Sequence, residues 1–283
     1  MDSTQSKSSS SYEKPPWFFK GSALYQFHLV KADAVRSIIP KELKLVEAFG
    51  YTLGGFFLAS YDESPAATFD ELVVIAGIVW NPPTSCAWAA NVLVSSNEAC
   101  VHGRKAVGLP SRVAKFSKIY AENQSKSRKN TLLGPWGFGE SSSYMDVEVS
   151  ETTGRSFSHL CNITIPTSLS EDKSKWVAPE IKMNLPSFSG RTQYNENLLK
   201  YSCEIRCRLS VVKAAIVSRK PTSTDVASSE GGANDAQNLS VSVMLSKPIL
   251  ALKFDSLKMM VDAPVIVSSK EVSYSSPGSI CTS

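Results

Sequence analysis

The chain has 283 residues, 42% hydrophobic and 20% charged, with a formal net charge of +4. That balance belongs to a folded globular protein with a sizeable buried core and excludes a disordered chain. No apolar run approaches the roughly 20 residues that cross a bilayer as a helix, so no transmembrane segment is expected. The dispersed charge also argues against a nucleic-acid partner.

Residues 1–14 are polar and Ser-rich, which predicts a disordered tail ahead of one domain over 15–283. Asp2 and Glu13 favour a cytoplasmic protein over the alternative, a plastid one with a transit peptide. From Ala23 the pattern ALYQFHLVK predicts a strand, and ADAVRSII a short helix that stops before Pro40. Strands are then predicted at Leu43–Ala48, Tyr51–Tyr61, Glu71–Val79 and Ala87–Val94.

The segment Ser95–Arg112, SSNEACVHGRKAVGLPSR, interrupts this β pattern. Ser95 and Glu98 have the capping-box spacing, so a helix starts there and continues through Ala99–Val107. Gly108 suits the left-handed closing residue and Pro110 stops further extension, so a new segment begins at Ser111. Further strands are predicted at Arg112–Tyr120, Tyr144–Ser150, Ser156–Ile165, Glu180–Leu185, Leu198–Val217, Ser240–Leu245, Pro248–Phe254 and Pro264–Ser268. Surface loops are expected at 125–130, where the basic run Lys126-Ser127-Arg128-Lys129 lies, at 134–143 and at 221–238. Long strands with few helices predict a mainly β (α+β) fold, a closed or nearly closed antiparallel sheet without exposed edges.

The six cysteines, at 86, 100, 161, 203, 207 and 281, read as reduced and partly buried thiols. Cys203 and Cys207 face one way on a regular strand but stand ~13 Å apart, too far for a disulfide. The three histidines, His28, His102 and His159, lack metal-ligand spacing. Neither a metal nor a cofactor is expected.

Gly103-Arg104-Lys105, Gly108-Leu109-Pro110 and Ser111-Arg112 resemble the catalytic segment of the acetoacetate decarboxylase family, which reads Gly-Arg-Glu, a spacer, aromatic-Pro, then two lysines. Leu29-Val30-Lys31-Ala32-Asp33 leading to Ile39-Pro40 resembles its strand-to-helix entry, and Phe69-Asp70-Glu71-Leu72 its aromatic-x-Glu segment. The resemblance implies a β-barrel or cone with a few short helices, commonly oligomeric, with a cavity beside the central helix. It places Lys31, Glu71, Arg104, Ser111 and Arg112 around that pocket. In the family the first lysine forms an imine with the substrate ketone. Here Ser111 holds that position, and a hydroxyl makes no Schiff base; Arg112 is permanently charged and is no nucleophile. Decarboxylation is therefore not expected. Lys115, on the same face of a regular strand as Ser111, is about four strand rises of ~3.3 Å away.

The segments PPWFFKG, ALYQFHLVKAD, GRKAVGLPSRVAKF and GPWGFGE are similar to a plant branch of this superfamily tied to xanthophyll biosynthesis. That similarity implies a pseudoenzyme, an accessory protein whose partner is an apolar isoprenoid-like molecule or a carotenoid-pathway enzyme. One alternative is an amine-independent isomerase or lyase acting on an epoxy-carotenoid, with Glu71, Arg112 and His102 as catalytic candidates. Another is a pure interaction protein whose cavity is filled by its own side chains. Arg112 paired with Glu71 would hold the ancestral site inert. Among the aromatics, Trp17, Phe18, Phe19, Trp80, Trp88, Trp136 and Phe138 are candidates for an apolar wall.

Overall fold

The computed structural model describes residues 14–123, 142–153, 156–167, 179–219 and 233–267. The strands in chain order are β1 (Trp17–Lys31), β2 (Lys44–Leu45), β3 (Tyr51–Glu63), β4 (Phe69–Asn81), β5 (Thr84–Val94), β6 (Ser111–Asn123), β7 (Ser142–Thr153), β8 (Ser156–Thr167), β9 (Glu180–Thr192), β10 (Asn195–Val212), β11 (Ile216–Ser218), β12 (Lys247–Val261) and β13 (Val265–Ile266). The helices are α1 (Ala32–Val35), α2 (Asn97–His102) and α3 (Ala233–Met244).

The strands β5-β9-β10-β12-β1-β3-β4 close into a seven-stranded barrel through the β4–β5 pairing. On its other edge β5 splits its partners along its length. Ala87 and Trp88 run parallel with β9, whereas Val92–Val94 run parallel with β6. That fork starts a side sheet, β6-β7-β8-β11, away from the barrel. Closure fits the mainly β expectation, but both β5 side pairings are parallel in a sheet expected to be antiparallel. For β6 the reason lies in the connection: α2 and its following turn carry the chain from the end of β5 back to the start of β6, a crossover that only a parallel neighbour needs.

Two apolar clusters divide at the barrel wall because strand side chains alternate in direction. On β1, Trp17, Ala23 and Tyr25 belong to the interior cluster, while Leu24 and Val30 belong to the outer one. On β4, Ile75 points in, and Leu72 and Val74 point out against Ala114, Val147, Val149 and Ile163 of the side sheet. The side sheet and α3 therefore cover the outside of the barrel and leave its interior to a separate set of residues.

Beneath α3 the buried Gln26 and His28 form a polar clamp. The Ala215 amide donates to Gln26 Oε1 at 2.7 Å, and Gln26 Nε2 donates to the Ala215 carbonyl at 3.1 Å. His28 Nδ1 lies 3.1 Å from the Val243 carbonyl, so this nitrogen carries the proton, and Nε2 accepts from Gln26 at 2.9 Å.

Ser240–Leu245, expected as a strand, is instead helical through Met244, the end of α3. Its alternation of Leu, Val, Val and Leu looks like period 2, yet Ser240, Val241, Val243 and Met244 are the buried positions, the spacing of a helix. The expected 221–238 loop lies outside the described residues up to 232, and helix begins at Ala233. The expected tail over 1–14, up to residue 13, most of the two other loops and Cys281 also lie outside the described residues. The other five cysteines are free thiols. No group of ligands suited to a metal occurs among the described residues. No described helix is long and apolar enough to cross a membrane.

Candidate functional site

The barrel interior is not filled by its side chains. A cavity of about 320 Å³ opens beside α2 and Ser111. This is contrary to the expectation, under the interaction-protein alternative, of a closed core. Its wall is dominated by aromatics from inward positions: Trp17, Phe19 and Phe27 on β1, Phe57 on β3 and Phe69 on β4. Edge-to-face and tilted ring pairs such as Phe19–Tyr61 at 5.1 Å and Tyr61–Phe69 at 4.9 Å set the shape of that wall.

The segment after β5 positions one side of the cavity. The helix cap is Ser96, whose Oγ accepts from the Ala99 amide at 3.2 Å. Ser95, the expected cap, instead takes the Asp70 amide on its Oγ at 2.8 Å and donates its own amide to the Asp70 carbonyl, tying the ends of β4 and β5 together. After His102 the backbone widens into a π-turn over Gly103–Val107, which Gly108 closes at φ 70°. The Val107 carbonyl is held by Ser189 Oγ at 2.6 Å. A Cβ built on Gly103 would stand 2.7 Å from Ser111 Oγ, so glycine lets the turn lie directly on the serine.

Of the residues the sequence reading gathers around one pocket, Glu71 and Ser111 line the cavity, and Lys31, Arg104 and Arg112 do not. Strand alternation explains Arg112. Ser111 faces inward, so its neighbour faces the side sheet, where Arg112 Nη1 donates to Glu151 Oε1 at 2.8 Å. The expected Arg112–Glu71 ion pair is thus replaced by Arg112–Glu151, and the catalytic candidate Arg112 stands outside the cavity. Lys31 lies beyond the last inward aromatic of β1, at the strand's exposed end opposite Tyr51. Arg104 projects from the π-turn over the Tyr194 ring, 5.2 Å from its centroid. Lys115 is exposed near Phe157 and is no substitute for the absent amine. Among the described residues no lysine or arginine lines the cavity.

Glu71 is the cavity's one carboxyl among the described residues. It accepts from the Tyr61 hydroxyl at 2.8 Å. Burial against apolar walls outweighs that hydrogen bond and pushes its pKa from an ordinary 4.5 to about 7. His102 also lines the cavity, with its ring 4.5 Å from that of Trp17. Desolvation lowers it to about 4, against the smaller upward pull of Glu98. It is therefore neutral at physiological pH. Sequence reasoning did not place Tyr201, Ser187 or Cys203 at the cavity. Tyr201 is hydrogen-bonded to Ser187, and both its hydroxyl and the Cys203 thiol are raised by burial and by the charge of Glu71. The signal for Tyr201 and Cys203 was parity on β10, shared with Ile205 and Cys207, whereas Ser187 comes from β9. Of the aromatic candidates, Trp17 and Phe19 line the cavity; Phe18 and Trp80 are exposed, Trp88 is buried in the outer cluster, and Trp136 and Phe138 lie outside the described residues.

The chain is 57% identical over 278 residues to Protein NEOXANTHIN-DEFICIENT 1 of Solanum lycopersicum, covering 91% of this chain and 94% of the relative. It is 56% identical to the Arabidopsis thaliana protein of that name, over 94% of this chain and 99% of the relative. The chain belongs to the NEOXANTHIN-DEFICIENT 1 family. The protein of that name from Oryza sativa subsp. japonica is 53% identical, over 93% of both chains. No family model matches. Among solved structures, acetoacetate decarboxylase from Legionella pneumophila subsp. pneumophila str. Philadelphia 1 is similar with a TM-score of 0.54 at 12% identity, over 94% of this chain and 93% of that one. The enduracididine biosynthesis enzyme MppR complexed with pyruvate gives 0.53 at 11%, over 91% and 92%. At such identities the likeness establishes the fold, an acetoacetate-decarboxylase-like barrel.

Proposed function

We propose that this member of the NEOXANTHIN-DEFICIENT 1 family serves neoxanthin biosynthesis as a non-decarboxylating accessory protein that holds an apolar isoprenoid-like ligand in its barrel. The name of its relatives supports the pathway. The observation that carries the binding role is the wall itself: an open, aromatic-lined cavity in which Ser111 occupies the imine position and, among the described residues, no lysine stands on the wall. Such a wall gains free energy by taking apolar surface out of water, about 25 cal/mol per Å², and, among the described residues, presents a keto acid with no amine for an imine.

Complementation of a plant line lacking its family member tests this reading. Wild type and Ser111→Ala restore neoxanthin, since the serine has no chemical duty, whereas Ala87→Trp, which fills the cavity, does not. Full restoration by a folded Ala87→Trp variant contradicts ligand binding as the function.

A second reading, an amine-independent isomerase or lyase acting on an epoxy-carotenoid, draws on Glu71. A carboxyl with a pKa of about 7, oriented by Tyr61, is suited to donate a proton to an epoxide and to accept one from carbon. Purified protein incubated with violaxanthin discriminates: turnover abolished by Glu71→Gln supports the enzyme, and no turnover in solubilising detergent supports the accessory role.

A further inference from the structure

The cavity's charge inventory and size restrict what enters it. Among the described residues its titratable wall groups are Glu71, His102, Tyr25, Tyr61, Tyr201, Cys86 and Cys203, none of them a cation at neutral pH. The Lys200 ammonium, which acts on the wall at Cys86, is not itself a wall residue and donates to Thr84. A carboxylate entering this space would leave its hydration shell without a positive partner on the described wall and would face Glu71, a like charge. Neutral oxygen functions meet a different surface. The Glu71 carboxyl on β4, the Tyr201 hydroxyl on β10 and its partner Ser187 on β9 supply donors and acceptors close enough for Tyr201 to feel the charge of Glu71. The rest of the wall is mainly aromatic or aliphatic.

The volume of about 320 Å³ stands at the lower end of the roughly 300–1,000 Å³ range of sites that enclose drug-sized ligands. One substituted ring with a short chain fits. A full-length carotenoid exceeds this volume and its conjugated chain is too stiff to coil inside, so part of it must lie outside the barrel.

We propose that the cavity takes a single ring-bearing end of a terpenoid, a neutral unit with one hydroxyl, epoxide or keto oxygen placed against Glu71 and Tyr201, and that it rejects carboxylates. This rests on the reading of the barrel as an isoprenoid site and names the part of the ligand it holds.

Calorimetric titration of the full chain with β-ionone, a single ring carrying a short enone, and with acetoacetate tests the inference. β-Ionone binds saturably at one site per barrel, and acetoacetate binds at least a hundredfold more weakly. Tyr201→Phe, which removes one hydroxyl donor, weakens β-ionone about fivefold, the loss of a neutral hydrogen bond worth about 1 kcal/mol. Ala87→Trp abolishes binding. Acetoacetate within tenfold of β-ionone, or β-ionone bound equally by Ala87→Trp, overturns the inference. Competition by violaxanthin in detergent micelles separates the two levels. Violaxanthin bound without any β-ionone site sinks the end-group inference and leaves the neoxanthin role standing. β-Ionone bound with no competition from violaxanthin keeps the cavity chemistry and sinks the carotenoid reading.

Discussion

Replacing Glu71 with Gln removes the cavity's carboxyl while preserving its shape and its capacity to accept from Tyr61. Because the folded-state pKa of Glu71 is about 7 and its ordinary value 4.5, the native state holds the proton more tightly than the unfolded chain does. Its contribution is favourable below about pH 4.5 and is lost as pH rises through 7, where the folded protein must keep a buried carboxylate. At about 1.4 kcal/mol per pH unit the difference amounts to about 3 kcal/mol. Glu71→Gln therefore becomes progressively more stable relative to wild type from pH 5 to about pH 8, where the difference levels off. With an unfolding entropy of about 2.1 cal/mol/K per residue, that corresponds to roughly 5 °C in Tm for a chain of this length. The assay is thermal unfolding of both proteins followed by circular dichroism at pH 5, 6, 7, 8 and 9. Histidine titration is common to both proteins and cancels in the difference. A Tm difference that stays flat across this range, or that favours wild type at pH 9, refutes the claim that desolvation of Glu71 by the cavity wall raises its pKa.

Gly103→Ala and Ser111→Ala are coupled: alone, Gly103→Ala is neutral or destabilising because its Cβ meets Ser111 Oγ, but with Ser111→Ala the better helix former gains roughly 0.5–1 kcal/mol, which a denaturant double-mutant cycle resolves. Arg112→Ala strips the guanidinium from the buried Glu151 and costs about 2 kcal/mol in chemical denaturation, yet leaves β-ionone binding unchanged because Arg112 faces the side sheet. Burial holds His28 below its ordinary 6.5, so it favours the folded state above that pH and loses stability as pH falls below it. Hydrogen exchange of the α3 amides accordingly accelerates between pH 6.5 and 5 relative to the β3 amides, after correction for intrinsic rates, and equal acceleration of both contradicts the clamp.

What the sequence disclosed was mostly local. Inward aromatics recur with strand parity along β1, and the closing of the central helix at Gly108 and Pro110 follows from backbone sterics, so both were legible. The cap was misplaced by one residue because Ser95 and Ser96 are chemically equivalent, and only the β4–β5 register assigns Ser95 to Asp70. Arg112 finds Glu151 thirty-nine positions away, through the β6–β7 pairing, a contact invisible to any spacing rule. Tyr201 was missed for a similar reason: it reaches the cavity because β10 is three strands from β4 around a closed ring, and closure is a property of the whole sheet.

The claim on which the account turns is that this barrel contains no amine able to capture a carbonyl. Borohydride reduction in the presence of acetoacetate or pyruvate, read by intact mass and peptide mapping, tests it most directly. The account predicts unmodified protein under conditions that label an authentic acetoacetate decarboxylase. A stable secondary-amine adduct mapped to a lysine of this chain and lost in Ala87→Trp would contradict it.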